Sequence, residues 1–154
     1  MNYEEIYADE KNIEFAAFSS ADAWEIGSRL VEWGLRHKKI LTIRITLNRH
    51  VLFQYAFDGT ERENDFWVLR KENLVYYTGH STLATSLYLK SKNQTASERY
   101  GLSNSEVVAS GGGVPLRLKG TGVVGAVTVS GMSQQEDHDL IMTTLKNYLR
   151  EQIH

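Results

Sequence analysis

Residues 107–138 read VVASGGGVPLRLKGTGVVGAVTVSGMSQQEDH, and the fold follows from how this stretch is read. It carries seven of the twelve glycines and the only proline of the 154-residue chain. After Pro115, Leu116 and Leu118 alternate with Arg117 and Lys119, the pattern of a strand with one buried face. Gly120 and Thr121 read as a two-residue loop whose glycine supplies the positive φ of a type II′ hairpin. On the way back, Val123, Gly125, Val127 and Val129 face one side, and Val124, Ala126 and Thr128 the other. Neither side carries a charge, which predicts a central strand covered on both faces.

Working outward, Ser133 and Glu136 form an S-x-x-E capping box opening a last helix with the stripe Ile141, Leu145, Tyr148, Leu149. Upstream, residues 2–10 read as a short helix and Ile13, Phe15, Ala17 as a short strand. Ser19 and Ser20 cap a helix carrying Trp24, Gly27, Val31 and Gly34. Leu41, Ile43, Ile45, Leu47 and then Val51, Phe53, Tyr55, Phe57 predict an antiparallel hairpin with one apolar face. A further helix carries Phe66, Leu69, Arg70, Asn73, Leu74 and Tyr77 and stops at Gly79. Another runs from His80–Thr82 to about Lys90, and residues 91–105 read as polar loop. The expectation is one α+β domain over residues 1–154, a mainly antiparallel sheet of about five strands with helices packed on it.

Composition excludes several classes. Seventeen basic and nineteen acidic residues, net −2, leave no footprint for nucleic acid. The absence of cysteine removes disulfides, thiolate metal sites and cysteine nucleophiles together. MNYEEIYADE has no apolar leader and no later run is long enough for a bilayer, so the expected setting is the cytoplasm, without membrane contact. Gly120, Gly122 and Gly125 satisfy G-x-G-x-x-G, but β-branched residues follow where a dinucleotide fold needs a helix. No Gly-Lys-Ser/Thr follows the triple glycine, so a Walker-type phosphate loop is excluded.

Read together, Gly59-Thr60, Asn64, Trp67, Arg70-Lys71, Gly79-His80-Ser81, the Gly-Gly-x-x-Pro of residues 111–115, Val129-Ser130-Gly131 and Asp137-His138 give a chain that resembles an uncharacterised family related to HbpS, the haem-degrading protein, and GlcG. The resemblance runs from about Glu10 to Leu149. It implies an α/β/α, profilin-like arrangement, assembly into homo-oligomers and, by analogy with HbpS-like relatives, binding of haem. It departs from the family pattern where Ser110 stands in place of a frequent His, and Ser133 in place of a frequent Pro.

The candidate ligand residues each have two readings. Gly111, Gly112 and Gly113 either let backbone N–H groups approach a ligand or form a bend into the strand. Trp67, Arg70 and Lys71 present an aromatic wall and cations to an acidic ligand such as a haem propionate, or are a core ring and a solvated face. His80 and His138 are haem ligands or hydrogen-bonded structural groups. Arg117 is an anion clamp or an ion-pair member. Ser81 beside His80 lies outside any nucleophile elbow, so it joins the set as a binding residue. No dedicated metal site is expected: the histidines show no H-x-x-x-H spacing, and Asp137 and Asp139 flank His138 at i±1, pointing apart. The leading expectation is a domain binding a small acidic or planar ligand, with haem as the cofactor the resemblance implies. The competing one is a non-catalytic assembly or adaptor module whose polar motif residues form subunit or partner contacts, since no acid, base and nucleophile converge.

Overall fold

A computed structural model describes residues 1–152. In chain order the elements are α1 (Tyr3–Lys11), β1 (Glu14–Phe15), α2 (Ser20–His37), β2 (Thr42–Leu47), β3 (His50–Ala56), α3 (Arg62–Thr78), α4 (Thr82–Ser91), α5 (Ala96–Tyr100), β4 (Gly113–Leu118), β5 (Gly122–Ser130) and α6 (Gln134–Gln152). The strands form one open sheet ordered β1-β4-β5-β2-β3, antiparallel except where β1 lies parallel to β4. This is a mixed α+β fold in three layers. Ile43, Ile45, Val127 and Val129 pack with Ile26 and Leu30 of α2 and Ile141 and Leu145 of α6, while α3 covers the opposite face.

The uncharged strand is indeed the middle one: β5 pairs with β4 on one side and β2 on the other, and residues 125–130 are buried. Its turn differs from the reading above. The Thr121 N–H donates to Leu118 O at 3.1 Å, so the central residues are Lys119 and Gly120, and Gly120 takes φ +78° at the second of them. Glycine with positive φ there is the pattern of type II, not II′.

Gly27 and Gly34 mark close packing of helix on sheet. A Cβ on Gly27 would lie 2.5 Å from the Phe53 ring, and one on Gly34 2.7 Å from Phe57. Trp24 flanks that contact at the rim: it is 68% exposed and meets the Phe53 ring edge-on with centroids 6.0 Å apart, while Ile26 is buried.

The polar alternates of β2 are not solvated. Thr42 and Thr46 are fully buried beneath α3, which brings a hydrogen-bonding side chain to Thr46 but not, among the described residues, to Thr42. The Thr46 and Tyr76 hydroxyls stand 3.0 Å apart. Arg44 Nε donates to Glu72 Oε1 at 2.6 Å. A polar sheet face needs a polar partner, so α3 buries Lys71 and Glu72 beside Val68, Leu74 and Val75 and leaves Phe66 and Tyr77 exposed. Residues 91–105 hold α5, opened by a Thr95/Glu98 capping box, and the strand read over 13–17 shrinks to Glu14–Phe15. Among the described residues no helix is long and apolar enough to cross a membrane.

Candidate functional site

The ten residues singled out in the sequence fall into three groups in space. The first surrounds the triple glycine. Lys71 was read as a cation beside Trp67 and Arg70; instead it is 2% exposed, and its Nζ donates to Val129 O at 2.8 Å and Asp137 Oδ2 at 3.2 Å. Burial pushes the lysine below its ordinary value and the Asp137 carboxyl up to about 6, against the pull of Lys71. Gly112, at φ +126°, lies against this pair: a Cβ there would meet Lys71 Nζ at 2.6 Å and crowd Val129 O. Gly111 packs on Gln134, and the Gly113 N–H donates to Thr82 Oγ1 at 2.9 Å. All three glycines are buried, and the space beside them is filled by the chain itself.

The second group is organised by Glu10, which is not among the residues the sequence singles out. Its carboxylate is fully buried and accepts the Ser81 N–H at 3.1 Å, with His80 Nδ1 at 3.3 Å and Arg117 Nη2 at 3.7 Å. Arg117 also donates to Gly79 O at 2.7 Å, and the His80 ring stacks on Tyr7 with centroids 3.9 Å apart. Ser81 caps α4 through Ala84 N–H. His80, Ser81 and Arg117 thus tie α1 to the α3–α4 junction. Next to Asp137, His138 is buried, with no partner for Nδ1 among the described residues, and burial lowers its pKa.

The third group faces solvent. Arg70 lies over the Trp67 ring, 4.9 Å from its centroid, and Nη1 donates to Asn104 O at 2.9 Å. These two contacts hold the guanidinium at the mouth of a cleft of about 650 Å³ between α3, the end of α4, α5 and residues 104–109. Leu89, Val107, Val108 and Ala109 give it apolar walls, Arg70 and Lys90 two cations, and Glu98 one carboxylate. The volume suits a small-molecule site. A cleft of about 450 Å³ between α2 and α6 offers Trp33 with Arg29 and Arg36, but Glu32, Glu136 and Asp139 outnumber those cations, which makes it the poorer receptor for an acid. Among the described residues, no three His, Asp or Glu side chains are grouped to hold a metal ion.

A UPF0303 protein of Serratia proteamaculans is 39% identical over 140 residues, 91% of this chain and 87% of that protein. The crystal structure of Ybr137w protein superposes with a TM-score of 0.91 at 26% identity, covering 100% of this chain and 91% of the other. The crystal structure of a PduOC:heme complex shares the fold, with a TM-score of 0.72 at 17% identity over 84% of this chain and 94% of that one. Residues 18–146 match the profile of the family described as haem degrading protein HbpS-like, and the chain belongs to that family.

Proposed function

We propose that this is a cytoplasmic, homo-oligomeric domain that binds a planar or small ligand bearing carboxylates, haem foremost, in the cleft beside Arg70. The observation that carries the reading is the Arg70 guanidinium, fixed over Trp67 and by Asn104 O at the rim of a cleft with apolar walls. An arginine held in this way retains donors for a carboxylate and loses little freedom on meeting one. Lys90 supplies the second cation that a two-propionate ligand asks for, and the half-buried Val108 and Ala109 offer apolar surface to the face of a flat ring. The heme complex of PduOC, a protein of the same fold, and the family description support haem among such ligands.

The fit to haem is partial in an informative way. Among the described residues, the lining holds carboxylate-binding and apolar groups but no His, Met or Tyr side chain to ligate iron. His80 is committed to Glu10 and Tyr7, and His138 is buried. The cleft therefore holds a tetrapyrrole by its edge and faces, and its lining supplies no axial bond.

Titration with haem tests this. Wild-type protein is expected to give a saturable Soret change, weakened about 10-fold or more in Arg70→Ala, the loss of a charge-assisted hydrogen bond, and unaltered in His80→Ala. No saturable change, or a loss in His80→Ala but not in Arg70→Ala, would contradict it. A second reading is an assembly module. The polar motif residues Lys71, Ser81 and Arg117 make contacts within the chain, which counts against their forming subunit contacts; what favours the reading is that Trp24, Leu35 and Tyr55 stand exposed.

A further inference from the structure

The sheet has two edges of different character. On one side β1 is only two residues long, which blunts it. On the other, β3 runs seven residues, His50–Ala56, with no proline, lysine or acid. Its bulge sits at the hairpin end, where the register shifts between Ile45 and Thr46. The Phe57 N–H donates to Leu41 O at 3.0 Å, and alternation along the ladder then makes Ile43–Tyr55 and Ile45–Phe53 the bonded pairs. The N–H and C=O of Gln54 and Ala56 therefore point away from β2, to the outside of the sheet.

The two faces beside this edge are unlike. On the α2 side, Trp24, Val31, Leu35, Phe53 and Tyr55 line a groove of about 180 Å³ that is almost wholly apolar. On the α3 side, Gln54 accepts from Arg44, next to Arg62 and Asp65, neither of which takes part in a salt bridge among the described residues. The strand that completes this edge must be aromatic on one side and polar on the other, with charges of both signs alongside.

We infer that its occupant is β3 of a second copy, paired antiparallel about a two-fold axis at Gln54 to make a continuous ten-stranded sheet. This rests on the homo-oligomer reading and specifies its interface. Antiparallel pairing about Gln54 sets Phe53 opposite the partner's Tyr55, an aromatic cross-strand pair. The same axis brings Trp24, over Phe53, towards the partner's Leu35, and Arg62 and Asp65, both beside Gln54, give each copy one charge of each sign to offer the other. The interface is isologous, as a two-fold contact requires.

Because the chain has no cysteine, one introduced thiol reports the axis directly. Gln54 and its copy would be a bonded pair with Cα atoms about 5.5 Å apart, within reach of a disulfide. Under mild oxidation Gln54→Cys is expected to give a covalent dimer on a non-reducing gel, and Ser91→Cys, on an exposed helix end, none. Tyr55→Glu and Gln54→Pro, the latter removing an N–H that the monomer does not use, are expected to lower the mass in light scattering at least two-fold with unchanged circular dichroism. If both variants keep the wild-type oligomer mass and Gln54→Cys does not cross-link, the interface lies elsewhere and this inference falls while the oligomer stands. A wild-type monomer at tens of micromolar would remove both.

Discussion

At the scale of single residues, Lys71 and Asp137 carry the largest stakes. Two charges withdrawn from water repay their desolvation only through each other, so removing one is costlier than removing both. Lys71→Met is expected to cost about 3–5 kcal/mol in urea unfolding, and Lys71→Met with Asp137→Leu to recover most of that loss. Gly112→Ala, forced to φ +126° against Val129 O, should lose more than about 1 kcal/mol in the same measurement. His138 works through pH. Burial sets its folded pKa below the ordinary 6.5, against Asp139, Glu10 and Asp9, which raise it, and with Lys146, which lowers it. A depressed pKa means stability that is intact above about 6.5 and is lost as pH falls through the lower folded value. Asp137, raised to about 6, acts with the opposite sign between there and its ordinary 3.8. His138→Leu is therefore expected to unfold at the same or higher urea concentration at pH 8, and to lose less stability than wild type between pH 6.5 and 5. None of this pairing was legible in the chain: Lys71 and Asp137 are 66 residues apart, and only the sheet brings them to Gly112.

At the scale of elements, α1 is a strap held by one carboxylate. Ile6 joins Leu83 and Ala84 in a small apolar cluster, but Glu10 binds Ser81 N–H and faces Arg117 and His80. The exposed Lys146–Asp9 pair adds little by comparison. Glu10→Ala is expected to cost about 1.5–3 kcal/mol and to strip hydrogen-exchange protection from residues 3–11 while leaving β5 protected. Equal loss in β5 would show that α1 is integral to the fold. Elements whose ends carry their own chemistry could be read in advance. Ser19 with Asp22, Ser133 with Glu136 and Gly79 all terminate helices where the sequence put them. The Thr95/Glu98 box carries the same signal, but the five residues of α5 have too little periodicity to distinguish a helix from a polar loop in the sequence. The buried face of α3 was not legible, because periodicity assumes an apolar partner, and the sheet face over which α3 lies presents Arg44, Thr42 and Thr46.

At the scale of the whole molecule, the layers sort the chemistry. Charged side chains sealed between sheet and α3 hold the frame, and the solvent-facing cleft at Arg70 is where we propose that a ligand meets the protein. Of the cluster anticipated around the glycines, Arg70 with Trp67 beneath it is the part turned to open space, while the bend feeds a central strand. Haem iron makes the proposal directly observable, since a paramagnetic centre broadens nearby amide signals. The account predicts that substoichiometric haem broadens amides of residues 86–96 and 104–109 in a nitrogen-15-labelled sample and spares those of α2 and β3. Broadening centred on His80 or His138, or none at all, would contradict it.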